Sequence, residues 1–85
     1  MGRIVLSIHA RERMAERNIT LRHIEQVISQ PDEPVEIGSK GELKATKGIR
    51  KRIIRVVYRL IPDGYYIITV MANPRKRLRK ARRRK

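Results

Sequence analysis

One histidine and two arginines near the start of the chain share a helical spacing. His9, Arg13 and Arg17 follow one another at intervals of four residues, so on an α-helix they form a single stripe. An imidazole beside two guanidiniums suits proton transfer next to a phosphate group, because the cations offset the negative charge that develops there. The stripe is therefore a candidate catalytic site for phosphate chemistry.

The charges around this stripe give a second, weaker indication that the arginines are functional. The pairs Arg13–Arg17 and Glu12–Glu16 place like charges four residues apart, which gives a helix no support and favours a functional reason for the arginines. The alternative is an ordinary helix flank, on which His9 assists the helix N-terminus and both arginines are solvated.

A second pair of arginines lies in a β-branched segment, residues 52–61, which reads RIIRVVYRLI. Side chains alternate between the two faces of a strand, so the segment divides into two sets. The set expected to pack on the helices is Ile54, Val56, Tyr58 and Leu60. The opposite set is Ile53, Arg55, Val57, Arg59 and Ile61. The opposite set mixes aliphatic side chains with two guanidiniums, which is typical of a half-open sheet surface that binds an anion, although solvated strand arginines are also common.

Other kinds of site are not expected from this sequence. No group of His, Asp and Glu has metal-ligand spacing, and no glycine-rich phosphate loop or nucleophile motif is present, so we expect neither a metal nor a cofactor. His23 falls on the polar side of its predicted helix and is expected to be solvated. RNA suits these restrictions, because its own 2′-OH can attack the adjacent phosphate and the protein need supply only a base, an acid and cations.

The last twelve residues, 74–85, read PRKRLRKARRRK and include nine basic residues and no acidic one. The whole chain has 22 basic and 8 acidic residues and a net charge of +14. The tail residues predicted to bind nucleic acid are Arg75, Lys76, Arg77, Arg79, Lys80, Arg82, Arg83, Arg84 and Lys85. So dense a basic run is solvated until it meets a polyanion. Residues 1–73 keep 13 basic and 8 acidic residues, or +5, so we expect them to bind nucleic acid weakly by themselves.

Length and composition predict one small soluble domain. The 85 residues contain no Cys, which excludes a disulfide-stapled secreted fold. No apolar run approaches the roughly 18 residues of a membrane span. We expect a cytoplasmic protein that makes no membrane contact, folds over residues 1–73 and continues into a disordered basic tail over residues 74–85, with its oligomeric state left open.

Helix signals dominate the first half of the chain. Ser7 is an N-cap residue for a helix over residues 9–17, and Asn18 is a left-handed cap at its end. Thr20 is the N-cap of a second helix, in which apolar residues recur at helical spacing through Ser29.

Strand signals dominate the second half. Residues 52–61 and 65–72 are rich in β-branched residues, and residues 62–64 (Pro-Asp-Gly) join them in a turn where proline presets φ and glycine accepts a positive φ. A short strand over residues 43–46 (LKAT) and a short leading strand over residues 3–6 give the order β-α-α-β-β-β. The predicted fold is α+β, with two N-terminal helices packed on a three- to four-stranded antiparallel sheet.

Two N-terminal segments resemble a known family. Residues 7–20 read SIHARERMAERNIT and resemble the opening of the unknown-function family DUF4258, whose members share the pattern HA..RM.ER.I. Residues 24–31, IEQVISQP, resemble the family's next helix, which ends in I..P. His9, Arg13 and Arg17 are the positions that match within the pattern.

The strands fit the same resemblance, which extends over residues 7–73. Residues 55–58 (RVVY) and 67–70 (IITV) are similar to the family's later strands. The family is similar to the RelE/ParE-like toxins and to small metal-independent ribonucleases. This similarity implies a RelE-like fold and an antitoxin partner.

The RelE-like toxins cleave ribosome-bound messenger RNA with basic residues on strands and a C-terminal tyrosine. Arg55 and Arg59 provide strand-borne basic residues here, but no tyrosine follows Tyr66. The chain therefore departs from that catalytic pattern at its C-terminal end.

Three hypotheses follow. The first is a toxin-like RNA-binding protein that acts as a metal-independent endoribonuclease of a toxin–antitoxin pair, with His9, Arg13, Arg17 and Arg55 as catalytic residues. In this hypothesis Arg59 and the basic tail bind RNA or the ribosome. The second is a non-catalytic nucleic-acid-binding module that uses the tail and the basic sheet face. The third is a ParE-like inhibitor of a protein target.

Deletion of residues 74–85 is expected to reduce the salt dependence of nucleic-acid binding, because the tail supplies most of the net charge. The measurement is the slope of log affinity against log salt for the full and truncated chains on one RNA. Circular dichroism should show that the truncated chain folds, since Leu78 and Ala81 are the only apolar residues after Pro74. An unchanged slope would mean that the tail does not contact the polyanion.

Overall fold

The computed structural model describes residues 2–74, which form two helices and five strands. In chain order the elements are β1 (Arg3–Leu6), α1 (Ile8–Arg17), α2 (Leu21–Ser29), β2 (Glu36–Ile37), β3 (Leu43–Ile49), β4 (Arg52–Ile61) and β5 (Gly64–Pro74). The predicted α+β class is confirmed. Strand β5 extends one residue into the predicted tail, and the tail residues predicted to bind nucleic acid, 75–85, lie outside the described residues. Neither described helix is long and apolar enough to cross a membrane.

Helix α1 begins and ends at the predicted caps. The Ser7 hydroxyl accepts a hydrogen bond from the Ala10 N–H at 2.9 Å, and it donates to the carbonyl of Ile68 in β5 at 2.8 Å. One side chain thus satisfies a free donor of the first helical turn and ties α1 to the sheet. Asn18 ends the helix in the left-handed conformation, with φ of 55° and ψ of 47°.

Helix α2 begins at a capping box. The Thr20 hydroxyl accepts from the His23 N–H at 3.2 Å, and the His23 Nδ1 accepts from the Thr20 N–H at 3.0 Å. Each residue satisfies a backbone donor that the helix itself leaves unpaired. The predicted N-cap is therefore confirmed, and His23 has a structural role at the helix start in addition to its partial exposure to solvent.

The sheet differs from the prediction in its extent and in the direction of one strand. The strand order is β1-β5-β4-β3-β2, so the described sheet has five strands rather than three or four. Strand β1 runs parallel to β5, whereas the other neighbours are antiparallel. Strand β2 has only two residues, too few for an alternating pattern to reveal it. The direction of β1 depends on contacts with a segment about 60 residues away, which local patterns do not encode.

The core lies between the helices and one face of the sheet. Its buried residues are Ala10, Ile19, Ile24, Val27, Ile28, Ala45, Ile54, Val56, Tyr58, Ile67 and Val70. Nearly all are aliphatic, and fully burying an isoleucine or valine side chain contributes about 1.5–3 kcal/mol. The strand residues among them all fall on the same side of the pleat by register, so the opposite side of the sheet is not part of this core.

Strand β4 confirms most of the predicted alternation. Ile54, Val56 and Tyr58 pack on the helices, but Leu60 is 66% exposed and does not. The Ser7 N–H bonds to the carbonyl of Ile67, so α1 starts beside the middle of β5 and leaves the hairpin end of the sheet uncovered. Leu60 lies at that uncovered end.

A β-bulge keeps the β5 side chains on the correct faces. Val57 pairs with Thr69 and Tyr58 pairs with Ile67, so Ile68 is an extra residue in β5. The extra residue shifts the alternation by one and brings Ile67 onto the core side. The carbonyl of Ile68 accepts the hydrogen bond from Ser7 described above, so the bulge is also where α1 is attached.

A loop carboxylate covers part of the outer edge of β3. Strand β2 pairs only with the first two residues of β3. Farther along, the Asp32 N–H donates to the Thr46 carbonyl at 2.9 Å, and Asp32 Oδ2 accepts from the Gly48 N–H at 2.8 Å. Asp32 Oδ1 forms an ion pair with Lys47 Nζ at 3.2 Å. The loop residue therefore occupies backbone groups that an adjacent strand would otherwise pair.

Gly64 is required for a different reason from the one predicted. Residues 62–63 form the expected turn, but Gly64 does not have a positive φ; among the described glycines that conformation belongs to Gly41, with φ of 83°. Gly64 pairs with Arg3 of β1, and a Cβ at position 64 would lie 1.9 Å from the Arg3 carbonyl oxygen. The missing side chain therefore lets β1 approach β5.

Gly64→Ala is expected to lower the free energy of unfolding by roughly 1–3 kcal/mol, because the added methyl group would push β1 away from β5. The matched control is Asp63→Ala, which removes an exposed ion pair with Arg3 and should cost less than about 1 kcal/mol. Urea denaturation measures both variants. Equal stability of the two variants would contradict the role assigned to Gly64.

Acidification is expected to destabilise the protein through His23. Burial, followed by the charges of Arg52 and Arg50, lowers the pKa of His23 below its ordinary value of 6.5. As pH falls below 6.5, the unfolded state takes up the proton first, so the free energy of unfolding decreases until the folded-state pKa is passed. Protonation also removes the lone pair of Nδ1 that caps Thr20.

The matched variant is His23→Gln, whose amide oxygen can accept the same hydrogen bond but does not titrate. Urea denaturation at pH 7.5 and pH 5 should show a larger loss of stability in the parent chain than in this variant. An equal loss in both would show that His23 is not responsible.

Candidate nucleic-acid interface

The face of the sheet opposite the helices carries the two strand arginines predicted as site residues. We call this surface the open face. It is formed by side chains from the three central strands of the sheet, which by register are Lys44, Thr46, Ile53, Arg55, Val57, Arg59, Tyr66, Thr69, Met71 and Asn73. Both described helices pack on the other side, so no helix covers these side chains.

The cations of the open face are spread along two strands. Arg55 and Arg59 are four residues apart in β4, which separates their Cα atoms by about 13 Å at 3.3 Å per residue. Lys44 pairs with Val57, so it lies on the neighbouring strand between the levels of the two arginines. The three side chains are therefore placed to contact successive groups of an extended anionic chain rather than one small anion.

The central strands contain no acidic residue. Strands β3, β4 and β5 have five basic residues and no Asp or Glu. Carboxylates approach the open face at its hairpin end, where Glu36 pairs with Lys44 across β2 and β3. The backbone N–H of Glu42 lowers the pKa of its own carboxyl most, and the charges of Lys44 and Arg59 lower it further. Glu36 and Glu42 thus offset positive charge near Lys44 and Arg59.

The Arg55 end of the open face contains a small hollow. Arg55 Nε donates to the Thr46 hydroxyl at 3.4 Å. The two residues line a hollow of about 170 Å³ together with Ile53, Met71 and Asn73, and none of these five is acidic. Arg59, by contrast, donates to the Lys40 carbonyl at 3.1 Å. The hollow at Arg55 therefore has no acidic lining residue, whereas the Arg59 guanidinium is bonded to a backbone carbonyl.

Apolar side chains complete the open face. Tyr66 is 37% exposed and pairs with Arg59, and Met71 is 42% exposed and pairs with Arg55. An exposed ring beside a guanidinium offers a stacking surface to a nucleotide base, while the guanidiniums contact phosphates. Tyr66, Met71 and Lys44 are not predicted from the sequence as part of this surface, because their positions on it depend on the bulge and on the register between strands.

The helical stripe is solvated. His9 and Arg17 are exposed, and Arg13 makes an ion pair with Glu16 at 3.7 Å, three residues along the helix. This pair gives α1 the support that the four-residue spacing of like charges does not. The functional reason inferred for Arg13 from that spacing is therefore weaker than expected, because an ordinary surface ion pair also explains the residue.

The two predicted groups of catalytic residues are not brought together. His9, Arg13 and Arg17 lie on a helix that covers one face of the sheet, whereas Arg55 lies on the other face. A single phosphate cannot contact both His9 and Arg55 across the sheet. Within residues 2–74, no group of three His, Asp or Glu side chains is positioned to hold a metal ion.

Comparison with known proteins gives one match. The family model described as Domain of unknown function (DUF4258) matches residues 6–72, which include both helices and the strands except for most of β1 and the last two residues of β5. No curated protein and no solved structure matches the chain. The match covers the helical stripe, the core and all of the open face except Asn73. The chain therefore belongs to the DUF4258 family.

Proposed function

We propose that this protein is a toxin-like RNA-binding protein that holds single-stranded RNA on the open face. The observation that supports this best is the basic surface of β3 to β5 that no described helix covers, which has exposed apolar side chains and no carboxylate of its own strands. Phosphates would contact Arg55, Lys44 and Arg59, and a base would stack on Tyr66.

The shape of the surface favours a single strand over a duplex. The sheet offers a broad face rather than a helix or ribbon that would enter a groove. Unstacked bases can lie against Tyr66 and Met71, both of which are partly exposed. In a duplex these base faces would be stacked on one another and could not reach the ring.

The proposal extends to a metal-independent endoribonuclease of a toxin–antitoxin pair, with RNA or the ribosome as target and an antitoxin protein as partner. His9 is an exposed imidazole beside Arg13 and Arg17, and this group is the candidate for proton transfer. Because Arg55 lies on the other face, its part in the proposal is RNA binding rather than catalysis at the His9 stripe.

Binding is tested with a double substitution on the open face. Arg55→Ala/Arg59→Ala is expected to weaken binding of a labelled single-stranded RNA by about tenfold or more, the equivalent of 1.4 kcal/mol or more. The slope of log affinity against log salt should fall by roughly 1.4, since each phosphate contact of a single strand contributes about 0.7. Fluorescence anisotropy provides both quantities.

The matched control is Arg11→Ala/Arg22→Ala, which removes the same charge from exposed positions on the two helices. The control should retain most of the affinity. If both double variants lose the same affinity, net charge alone explains binding and the open face is not the site. Stronger binding to a DNA duplex of the same length would also contradict the proposal.

Catalysis is tested by incubating the full chain with RNA in the presence of EDTA. Cleavage that is lost in His9→Ala, while binding is retained, is the expected result. Retained cleavage in this variant would remove His9 from the mechanism. Absence of cleavage on both naked RNA and translating ribosomes would refute the endoribonuclease activity. The RNA-binding proposal would then be decided by the anisotropy measurements alone.

A further inference from the structure

A second basic hollow lies at the end of the sheet, on the helix side. It is a cleft of about 300 Å³ between the end of α1, the β3–β4 turn and the end of β5, and it is lined by Arg17, Lys51, Arg52, Ala72, Asn73 and Pro74. Three of its six lining residues are cations, and none is acidic. Only Arg17 among these residues belongs to the sites predicted from the sequence.

Arg52 makes this cleft suitable for an anion. Its guanidinium donates to the carbonyls of Arg17 and Asn18, and the second of these bonds is 3.0 Å long. These carbonyls form the negative end of the α1 dipole, which would otherwise repel an anion. Arg52 thus covers the helix end with positive charge and is held in place by two hydrogen bonds.

The other two cations are available to a ligand. Lys51 and Arg17 are exposed, and no carboxylate in residues 2–74 lies within 4.0 Å of either side chain. The positive potential extends to the start of α2, where burial and then the charges of Arg52 and Arg50 lower the pKa of His23. Charged N–H donors facing a hollow are suited to the oxygens of a phosphate group.

The cleft is continuous with the open face. Asn73 lines both this cleft and the hollow around Arg55. Strand β1 pairs with β5 only from Gly64 to Ile67, so it does not extend along the part of β5 that contains Asn73. An extended chain can therefore pass around this edge of the sheet from Arg55 to Lys51.

Charge is distributed unevenly between the two ends of the sheet. Glu36, Glu42 and Asp63 lie at the hairpin end. At the other end, where Arg52 pairs with Pro74, residues 50–52 (Arg-Lys-Arg) are accompanied by Asp32, which is itself paired with Lys47. A polyanion bound at Arg55 is thus drawn toward the cleft rather than toward the hairpin. In the sequence, the basic segment 75–85 follows directly after Pro74.

We propose that this cleft binds one phosphate group of a single-stranded RNA chain whose neighbouring nucleotides lie on the open face around Arg55. The inference rests on the proposed RNA-binding function and adds a site to it. Lys51 and Arg17 contact the phosphate oxygens, Asn73 supports the chain at the sheet edge, and Arg52 positions the end of α1 and supplies charge.

The test uses nuclear magnetic resonance of the full chain labelled with 15N and titrated with a tetramer of uridylate. Amide signals of Lys51, Arg52 and Asn73 should shift together with those around Arg55. Arg17→Ala/Lys51→Ala should weaken binding of the tetramer by about tenfold, as expected for the loss of charge-assisted contacts. The spectrum of this variant also reports whether it is folded.

The matched control is again Arg11→Ala/Arg22→Ala, which removes two charges elsewhere and should change affinity less than about twofold. An equal loss of affinity in both double variants would overturn the proposed phosphate site in the cleft. A second arm uses inorganic phosphate, which should shift the cleft amides without those around Arg55. Shifts at Arg55 alone with the tetramer would also overturn it.

Failure of the cleft is distinguishable from failure of the proposed function. If Arg55→Ala/Arg59→Ala weakens binding of the tetramer but Arg17→Ala/Lys51→Ala does not, RNA binding on the open face is supported and phosphate binding in the cleft is refuted. If all shifts are confined to residues 75–85, both proposals are refuted.

Discussion

One-sided burial is the constraint on which the rest of this structure depends. A short chain without Phe, Trp or Cys has to form its core from aliphatic side chains, and here these meet between two helices and a single face of the sheet. Both described helices are used on that side. The other face must therefore remain compatible with water, and it does so with basic and mixed polar side chains rather than with a balance of opposite charges.

Three local contacts attach α1 and β1 to the rest of the sheet. The Ser7 hydroxyl joins the start of α1 to the bulge at Ile68, the Arg52 guanidinium joins its end to β4, and Gly64 lets β1 approach β5. Each of these contacts links segments that are far apart in sequence. The open face and the cleft exist because these contacts fix which side of each strand is covered.

The features predicted correctly from the sequence are those that depend on residues close together in the chain. The caps at Ser7, Asn18 and Thr20 depend on neighbours within three or four residues. They could therefore be predicted from the local sequence, and the structure confirms them. The alternation in β4 was readable as far as Tyr58. The direction of β1, the two-residue strand β2 and the role of Gly64 depend on pairing between distant segments, which residue types alone do not specify.

The candidate site shows the same division. Arg55 and Arg59 could be assigned to a common face from alternation within one strand, whereas Lys44, Tyr66 and Asn73 joined them only through register and the bulge. His9 was expected to act with Arg55, but no local pattern could reveal that α1 covers the face opposite that arginine. Residues on separate elements can be assigned to one site only when the packing of those elements is known.

The hydrogen bonds between Asp32 and the edge of β3 affect how copies of this highly charged chain can associate. Copies of a protein with a net charge of +14 repel one another in solution, but a polyanion cancels that repulsion and gathers them side by side. Under those conditions, exposed strand edges are where neighbouring copies would join. By occupying the Thr46 carbonyl and the Gly48 N–H, Asp32 keeps this edge from recruiting a second chain when electrostatic repulsion no longer does so.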